Sequence, residues 1–458
     1  MKFPFGKQQK TFEHGVHPPQ FKEATAGKPI RRMAFAPQLI VPLLQHIGAP
    51  AIPIVREGQE VVRGEPIARA AGFNSVPMHA PVTGVVQRIA LAPTPMGNMA
   101  PAIFIKTYPG ASQEILYGAP RDIGGMSPEA LVLAVQETGV VGLGGAAFPT
   151  HVKLSVPEGK SVHTLIVNGC ECEPYLTTDH RIMLERTQDI LAGVHVALRI
   201  TGASRVLVGV EDNKPDAIES LRAAFDACPA PAEVVSLPTK YPQGAEKMLT
   251  KALLGGEVPS GGLPIELGTL IMNVATLAQI GDLLPRQQGL IERVVTIAGP
   301  GVQKPGNYLM PLGTPLWFIL ESAGFDGKAD QVVLGGPMMG MAIRSLATPI
   351  TKGITGILAL AKGGSASNTK TYPCIKCGSC LAACPVQLNP SRLGLLARKQ
   401  QYAEMEQGFH LNDCFECGCC SYVCPANIPL VQYFRIAKAM NRQQRSRAQA
   451  AQNRGGRS

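Results

Sequence analysis

Two short cysteine motifs near the C-terminal end of the chain carry its strongest chemical signal. They read CIKCGSCLAACP (374–385) and CFECGCCSYVCP (414–425), and each has the spacing C-x2-C-x2-C-x3-C-P. Three thiolates on such a tight loop can cap three irons of a cubane, while the fourth Cys of each motif ligates the other cluster. The spacing therefore predicts two [4Fe–4S] clusters. The first would be held by Cys374, Cys377, Cys380 and Cys424, and the second by Cys384, Cys414, Cys417 and Cys420.

The alternative for these motifs is a pair of zinc sites. Zinc is usually held by paired C-x2-C units rather than by repeated triplets that end in Cys-Pro, so the spacing favours iron and sulfur. Cys419 lies outside the repeated pattern and is interpreted as an ordinary thiol. Crossed ligands would keep the two clusters close together, which suits a relay of single electrons.

A glycine-rich loop, GLGGAAFPTHVKL (142–154), is the second candidate site. Gly142, Gly144 and Gly145 would let the backbone approach a phosphate closely, and Lys153 could neutralise its charge. On its own, such a loop more often has no ligand. Hydride donors deliver electrons in pairs whereas clusters carry them singly, so a flavin normally stands between the two. The loop and the clusters together therefore predict a flavin site.

The elements that must position this loop alternate between helix and strand over residues 120–285. We expect helices at 127–138, 178–200, 215–227 and 245–254, and strands at 162–167, 205–210 and 233–237. Ser127 is the expected N-cap of the first helix. The loop is expected to run from the first helix into the first strand. Such alternation predicts a Rossmann-like parallel sheet with helices on its faces.

Three further regions flank this α/β domain. Residues 33–115 contain short apolar runs broken by Gly and Pro, and VREGQEVVRGEPIA (55–68) and HAPVTGVVQRI (79–89) resemble the two halves of a biotinyl/lipoyl sandwich. The hairpin at 72–78 has no Lys to modify, so a structural or docking role is expected. Residues 286–350 predict an α+β module, with strands at 293–298 and 331–334 around a helix at 316–323. A linker is expected at 362–370, and residues 365–440 are expected to form a helical two-cluster domain with a helix at 391–407.

Charge is concentrated at the two ends of the chain. Of the net +10, residues 1–32 carry +5 and residues 442–458 carry +5, so the remainder is neutral. A neutral body excludes a nucleic-acid-binding core, which needs a basic face. We expect an extended basic arm at 1–32 and a disordered basic tail at 441–458. With no visible signal peptide or transmembrane segment, the twelve Cys do not predict a disulfide scaffold, and membrane contact should be peripheral.

Further motifs carry a resemblance to known flavoproteins. The glycine-rich loop is followed in order by VNGCECEP (167–174), YPQGAEK (241–247) and NVATL (273–277). This order resembles the NADH-dehydrogenase flavoprotein of respiratory complex I. Over residues 1–440, including FEHGVHPP (12–19) and both cysteine motifs, the chain resembles the RnfC family of Rnf electron-transport complexes still more closely.

The resemblance implies a multidomain α/β and α+β fold. Its parts would be a barrel-sandwich hybrid, an FMN- and NADH-binding α/β domain, a soluble-ligand-binding β-grasp (SLBB) module and a dicluster ferredoxin domain. The matching positions are Gly142, Gly144 and Lys153 for the flavin phosphate, Asn168 and Asn273 for the flavin, and Phe148, Glu171, Glu173, Tyr241, Gly244 and Glu246 for the nicotinamide nucleotide and its surroundings.

The chain departs from the complex I pattern at three positions. Cys170, Ala245 and Ala275 stand where that pattern has acidic residues. Cys170 and Cys172 could form a redox-active pair, or they could be two thiols that line a turn.

The function implied by the resemblance is electron input into a membrane-bound, ion-translocating complex. NADH would deliver a hydride to non-covalently bound FMN, and the clusters would pass single electrons to membrane and ferredoxin-type subunits at the cytoplasmic face of the bacterial inner membrane. Two alternatives stay open. One is a microcompartment cobalamin reductase with the same domain plan, and the other is a non-catalytic adaptor that carries clusters.

Overall fold

The computed structural model describes residues 10–361 and 370–455. After the two-residue strand β1 (Arg31–Arg32), the first domain forms two sheets with the strand orders β2-β8-β7-β4 and β3-β5-β6. The bounds are β2 Gln38–Pro42, β3 Ile52–Pro53, β4 Glu60–Val61, β5 Pro66–Arg69, β6 Met78–His79, β7 Gly84–Pro93 and β8 Met99–Thr107. Leu39, Ile67 and Ile103 are buried between the sheets, as the alternation of short apolar runs predicts.

The second domain surrounds a parallel sheet with the order β11-β10-β9-β12. Its elements are α1 Pro128–Thr138, α2 Thr150–Leu154, β9 Thr164–Gly169, α3 Thr178–Glu185, α4 Thr187–Thr201, β10 Arg205–Glu211, α5 Pro215–Phe225, β11 Ala232–Leu237, α6 Glu246–Leu254, β12 Thr269–Asn273 and α7 Val274–Leu283. The strand order reverses between β9 and β12. In sheets of this type, ligands bind in the crevice at the carboxyl ends of the strands where that reversal occurs.

Most predicted elements of this domain are confirmed to within two residues. Ser127 caps α1, since its hydroxyl accepts from the Ala130 amide at 3.3 Å. The single helix predicted at 178–200 is wrong. The helix breaks at Arg186, where the backbone leaves the helical region (φ −130°). The Arg186 guanidinium pairs with Asp189 and Asp282. The glycine-rich loop also leads into α2 before it reaches β9, so Lys153 lies on a helix.

The third domain is a mixed sheet with the order β1-β14-β13-β17-β15-β16. Its elements are β13 Glu292–Ala298, β14 Gly306–Pro311, α8 Leu316–Ser322, β15 Ala329–Leu334, β16 Met341–Ala342 and β17 Gly356–Ala361. The predicted strands and helix of this module are confirmed. The edge strand β1 pairs in parallel with β14, so the end of the N-terminal arm belongs to this sheet.

The fourth domain is helical, with α9 Ser379–Ala383, α10 Pro390–Arg398, α11 Tyr402–Gln407, α12 Cys419–Tyr422 and α13 Leu430–Gly455. The single helix predicted at 391–407 is wrong, because Gln400 has φ +56° and ends it. The linker expected at 362–370 lies outside the described residues, apart from Lys370.

The disordered tail predicted at 441–458 is also wrong as far as residue 455. Helix α13 continues through it to Gly455. Its first turns are fixed by the buried Phe434 and Ala437, and the Arg, Gln and Ala that follow are favourable helix residues, so extension costs little once the helix is nucleated.

The described part of the N-terminal arm packs along the rest of the chain. The Val16 amide donates to the Tyr241 carbonyl at 2.8 Å, and the Gly15 amide donates to the Ala383 carbonyl at 3.2 Å. Further along, the Phe21 ring stacks on Tyr175 with centroids 4.9 Å apart. The arm therefore joins the α/β domain to the dicluster domain.

Candidate redox site

The glycine-rich loop is closed by its own backbone and held by α7. The Gly142 amide donates to the Phe148 carbonyl at 2.8 Å, and the Ala147 amide donates back to Gly142 at 3.0 Å. The Leu143 amide donates to the Thr276 hydroxyl at 2.9 Å. These bonds fix both ends of the loop beside the carboxyl ends of β9 and β12.

The tip of this loop is open. Gly144, Gly145 and Ala146 are exposed, and among the described residues their amides have no hydrogen-bond acceptor. A Cβ added to Gly145, at φ +110°, would meet nothing within 4 Å, whereas one added to Gly144 would lie 3.2 Å from the Asn273 amide nitrogen. Consecutive free amides of this kind form an anion-binding concavity.

Two asparagines lie where the strand order reverses. Asn168 on β9 donates to the Gly244 carbonyl at 2.9 Å and accepts from the Cys170 amide at 3.1 Å. Asn273 on β12 caps α7 by accepting from the Ala275 amide at 3.0 Å. It also donates to Asp179 at 2.7 Å. Both side chains are thus engaged in shaping the crevice.

The acidic turn after β9 places its two glutamates differently. Glu171 is buried and accepts from the amides of Asp179 (3.0 Å) and His180 (3.2 Å) at the start of α3. Glu173 accepts from the amides of Met338 (3.1 Å) and Met339 (2.8 Å) in the SLBB module. Burial raises the pKa of Glu173 to about 7, against the effect of these amides. Glu173 therefore joins two domains beside the crevice.

The predicted phosphate-neutralising lysine has a carboxylate partner. Lys153 on α2 pairs with Glu246, the first residue of α6, and both side chains are partly exposed. The Phe148 ring is also exposed. These three residues stand at the solvent side of the crevice.

Tyr241 links the crevice to the dicluster domain. Its side chain is 1 % exposed, and its hydroxyl donates to the Cys417 carbonyl at 2.6 Å. The turn that follows is tight, since a Cβ at Gly244 would lie 2.3 Å from the Cys170 carbonyl oxygen. Only glycine fits there.

The cysteines predicted to hold the second cluster surround one cavity. Cys384, Cys414, Cys417 and Cys420 all line it, with Cys419 and mostly apolar neighbours. Burial raises the pKa of Cys414 to about 11, so in the absence of a metal the thiol form is favoured. Cys417 also packs in one apolar cluster with Cys172 and Tyr241.

The cysteines predicted to hold the first cluster are also neighbours. Burial is the main cause that raises the pKa of Cys380, and the charges of Cys424, Cys374 and Cys377 raise it further. Cys377 is exposed and the other three are half-buried. Among the described residues, no three Cys, His, Asp or Glu side chains converge as the ligands of a single metal ion would.

The pair Cys170 and Cys172 belongs to the packed turn. Burial raises the pKa of both thiols above the ordinary value. A buried thiol of this kind is unreactive, so the structure favours the interpretation of two thiols that line a turn.

The sequence did not predict three charged residues that lie beside the crevice or bind the segments that line it. Lys22 in the arm donates to the carbonyls of Glu171 (2.8 Å), Glu173 (2.9 Å) and Leu176. The other two are Arg293 and Asp179. Arg293 donates to the Leu143 carbonyl at 3.2 Å, and one buried carboxylate oxygen of Asp179 has no partner among the described residues. Their roles depend on contacts between distant segments, for which no local motif exists.

Four family models match the chain in the order of its domains. They are the RnfC barrel sandwich hybrid domain over residues 10–108, the Nuo51 FMN-binding domain over 135–282, the SLBB domain over 294–342 and the 4Fe-4S dicluster domain over 373–428. The predicted architecture, the FMN-binding domain and the iron–sulfur domain are thereby confirmed.

Curated relatives are similar over nearly the whole chain. The RnfC-type component of the proton-translocating ferredoxin:NAD+ oxidoreductase complex of Clostridium ljungdahlii is 44% identical over 436 residues, which cover 94% of each chain. The chain belongs to the RnfC family. Another member, from the Na+-translocating ferredoxin:NAD+ oxidoreductase complex of Acetobacterium woodii, is 39% identical, with 93% of this chain and 96% of that one covered. The Pseudomonas aeruginosa member is 42% identical over 95% of this chain, which spans 56% of that longer relative.

As a member of the RnfC family, the chain is a redox subunit of an oxidoreductase complex, with an FMN-binding and a [4Fe–4S] domain. These relatives favour the Rnf-type setting over a microcompartment cobalamin reductase. A chain of an NAD+-reducing [NiFe]-hydrogenase in the H2-reduced state is 20% identical, with a TM-score of 0.49 and coverage of 65% of this chain and 61% of that one. None of the described helices is both long and apolar enough to span a bilayer.

Proposed function

We propose that this chain exchanges electrons between a nicotinamide nucleotide and the other subunits of an ion-translocating membrane complex. FMN would lie in the crevice at the carboxyl ends of β9 and β12, and each predicted set of four cysteines would hold one cluster. When bound, FMN would exchange a pair of electrons with the nucleotide as one hydride, and the clusters would carry single electrons.

The crevice fits the phosphate end of a flavin. The amides of Gly144, Gly145 and Ala146 would bind the phosphate, because these residues are exposed, their amides have no acceptor among the described residues, and amides carry positive partial charge. Arg293 and Thr276 would keep this loop in place through Leu143. A side chain larger than hydrogen at residue 144 would press on Asn273 and narrow the crevice.

The polar groups beyond the loop fit the ring end. Burial, followed by the neighbouring charge of Glu171, raises the pKa of Asp179. With a pKa of about 7 the carboxyl would be partly protonated near neutral pH, and its protonated form could donate to a ring acceptor. Asn168 and Asn273 would hold the two strand ends at the spacing that the ring needs, and the exposed Phe148 ring would contact the nucleotide.

The cluster sites fit their groups by the chemistry of their donors. Four thiols around one cavity match the ligand set of a cubane. In each set the ligands come from both motifs, so each cluster would tie the two loops together. Lys438, which donates to the Cys414 carbonyl, would offset part of the negative charge at the second set.

The hydrogen bond from Tyr241 to Cys417 is the observation that carries the proposal. It sets the crevice turn directly against the loop of the second cluster, in a contact from which water is excluded. Electrons would then pass from the crevice to the second set, and from there to the first set. Cys380 and Cys420 mark the boundary between the sets, because the charge of Cys380 is among those that raise the pKa of Cys420.

The partners and location are part of the same proposal. The first set faces solvent at Cys377, beside the exposed Ile375, so a redox partner within the complex could approach it there. The complex would lie at the cytoplasmic face of the bacterial inner membrane, with this chain attached peripherally.

The test is anaerobic reconstitution with iron, sulfide and FMN, followed by titration with NADH. We expect one bound FMN per chain, and cluster reduction visible by electron paramagnetic resonance (EPR). Gly144→Val should lose FMN and keep its iron, while Gly125→Ala, in an open loop position, is the matched control and should behave like the parent. Intact clusters with neither FMN binding nor NADH-dependent reduction would instead support the non-catalytic adaptor.

A further inference from the structure

The two cysteine motifs differ at one position that faces a cluster ligand. In each motif, a glycine follows the second Cys, and one more residue precedes the third. That residue is Ser379 in the first motif and Cys419 in the second. Gly378 and Gly418 have φ of +81° and +87°, so the backbone turns in the same way at both places.

This turn directs the following residue back onto the second Cys. In the first motif, the side chains of Cys377 and Ser379 are hydrogen-bonded at 3.5 Å. In the second motif, Cys419 stands at the equivalent position, packs in one cluster with Cys417 and lines the same cavity. The two loops therefore place a hydroxyl and a thiol at equivalent positions beside equivalent sulfurs.

The donors differ in strength and in surroundings. A hydroxyl is a stronger donor than a thiol. Ser379 stands in a loop whose Cys377 is exposed, whereas Cys419 is fully buried and lines the cavity of the second set together with four other thiols. Cluster potentials respond to hydrogen bonds to the sulfurs and to solvent exposure.

We propose that Ser379 and Cys419 are positioning residues that set the two cluster potentials apart, each by donating a hydrogen bond to one ligand sulfur. A cluster-bound thiolate has no proton, so the hydroxyl of Ser379 must be the donor to Cys377. A donor stabilises the more negative, reduced cluster and raises its potential. The stronger donor at Ser379 thus raises the first potential more than Cys419 raises the second. This inference rests on the proposed ligand sets and goes beyond them.

The experiment is an EPR-monitored redox titration of reconstituted full-length protein. Ser379→Ala should lower the potential of the first cluster, and Cys419→Ser should raise that of the second, each leaving the other cluster unchanged. A tenfold change in the electron-sharing equilibrium corresponds to about 59 mV for one electron, and we expect a change of that order. Cys228→Ser, at a part-exposed Cys outside both motifs, is the matched control and should shift neither.

Two results would overturn the inference. One is unchanged potentials in Ser379→Ala and Cys419→Ser with full iron content. The other is loss of iron in Cys419→Ser, which would make Cys419 a ligand. If Cys419→Ser does not fold, Ser379→Ala in the exposed loop decides alone. Because the parent is titrated with NADH in parallel, failure of the proposed function would appear there first, as absent cluster reduction before any variant is compared.

Discussion

The two cluster sites have the same ligand spacing and very different surroundings. In the second set, Cys384, Cys417 and Cys420 are buried, and the loop packs so closely on the SLBB module that a Cβ at Gly418 would lie 2.7 Å from the Met338 carbonyl oxygen. In the first set, Cys377 is exposed, and the loop also exposes Ile375.

The motif fixes the spacing of the thiols, while the neighbouring domains fix how far the thiols are buried. One site is enclosed by the α/β domain, the SLBB module and the arm. The other is exposed to solvent at Cys377. The second set is thus an inner position and the first set an outer one. Under the proposed function, electrons would pass from the inner position to the outer one.

The largest expected effect is the loss of one cluster when one of its proposed ligands is removed. Cys420→Ala should lose the second cluster and, because cluster binding is also folding energy, loosen the dicluster domain from the α/β domain. It should abolish NADH-dependent reduction of the first cluster as well. Cys377→Ala should lose only the first cluster and leave reduction of the second intact. Iron content, EPR and limited proteolysis measure these outcomes. Equal loss of reduction in both variants would mean that the inner and outer positions are not in series.

The next effect tests how the inner site is supported. Lys22→Met leaves three carbonyls of the acidic turn without their donor. We expect a loss of about 3 kcal/mol in the free energy of unfolding, since unpaired buried polar groups cost about 1–3 kcal/mol each. Urea denaturation measures it. Lys28→Met, an exposed arm lysine bound to the Pro305 carbonyl, should cost less than about 0.5 kcal/mol. Similar losses in both variants would show that the arm contributes only general packing.

A smaller effect is expected at the contact between the crevice and the inner site. Tyr241→Phe removes the donor to the Cys417 carbonyl and should cost about 1 kcal/mol of stability. It should also slow reduction of the second cluster, measured by stopped-flow absorbance. Tyr372→Phe, at an exposed tyrosine beside the first cysteine motif, is the matched control and should change neither quantity. A normal reduction rate in Tyr241→Phe would contradict the proposed route.

The last effect concerns acid, lies away from both cluster sites and should leave electron transfer unchanged. Burial, followed by the charge of Lys352, lowers the pKa of His79 on β6 to about 3. In the unfolded chain His79 takes up a proton near pH 6.5. The contribution of the neutral His79 to the free energy of unfolding is therefore complete above pH 6.5. It is lost as the pH falls toward 3, by about 1.4 kcal/mol per pH unit. His79→Gln should reduce the stability difference between pH 7.5 and 5.5 by that amount, measured by urea denaturation. An unchanged difference would mean that other groups dominate acid lability.

The sequence was sufficient where chemistry depends on local spacing. The repeated cysteine motifs predicted the 4Fe-4S dicluster domain because a cubane imposes the distances within each loop. The glycine-rich loop and the clusters together predicted the FMN-binding domain. The partition of the eight cysteines between two clusters stays a prediction. The alternating apolar segments also predicted the parallel sheet, since buried strands and amphipathic helices have distinct periods.

The sequence was insufficient where a residue acts across the fold. Lys22 looks like part of a basic surface segment, yet it is buried against a turn about 150 residues away. Arg186 interrupts a helix with a non-helical backbone (φ −130°), and its guanidinium pairs with Asp282, which is distant in the sequence. The tail looked disordered by composition, but the packed start of α13 makes further helical turns favourable. Each of these outcomes depends on tertiary contacts that local pattern does not encode.

The arm has a consequence for the order in which the chain can be completed during synthesis. His14 binds the Ala382 carbonyl, which is 368 residues later in the chain. At a translation rate of about 5–20 residues per second, that partner emerges roughly 20–70 s after the arm. In the meantime the α/β domain can form its sheet, and Lys22 and Val16 can bind it, because their partners Glu171 and Tyr241 have already emerged. The contact of His14 with the dicluster domain must wait until the last domain has left the ribosome. The joining of these two domains by the arm is therefore a late, long-range step.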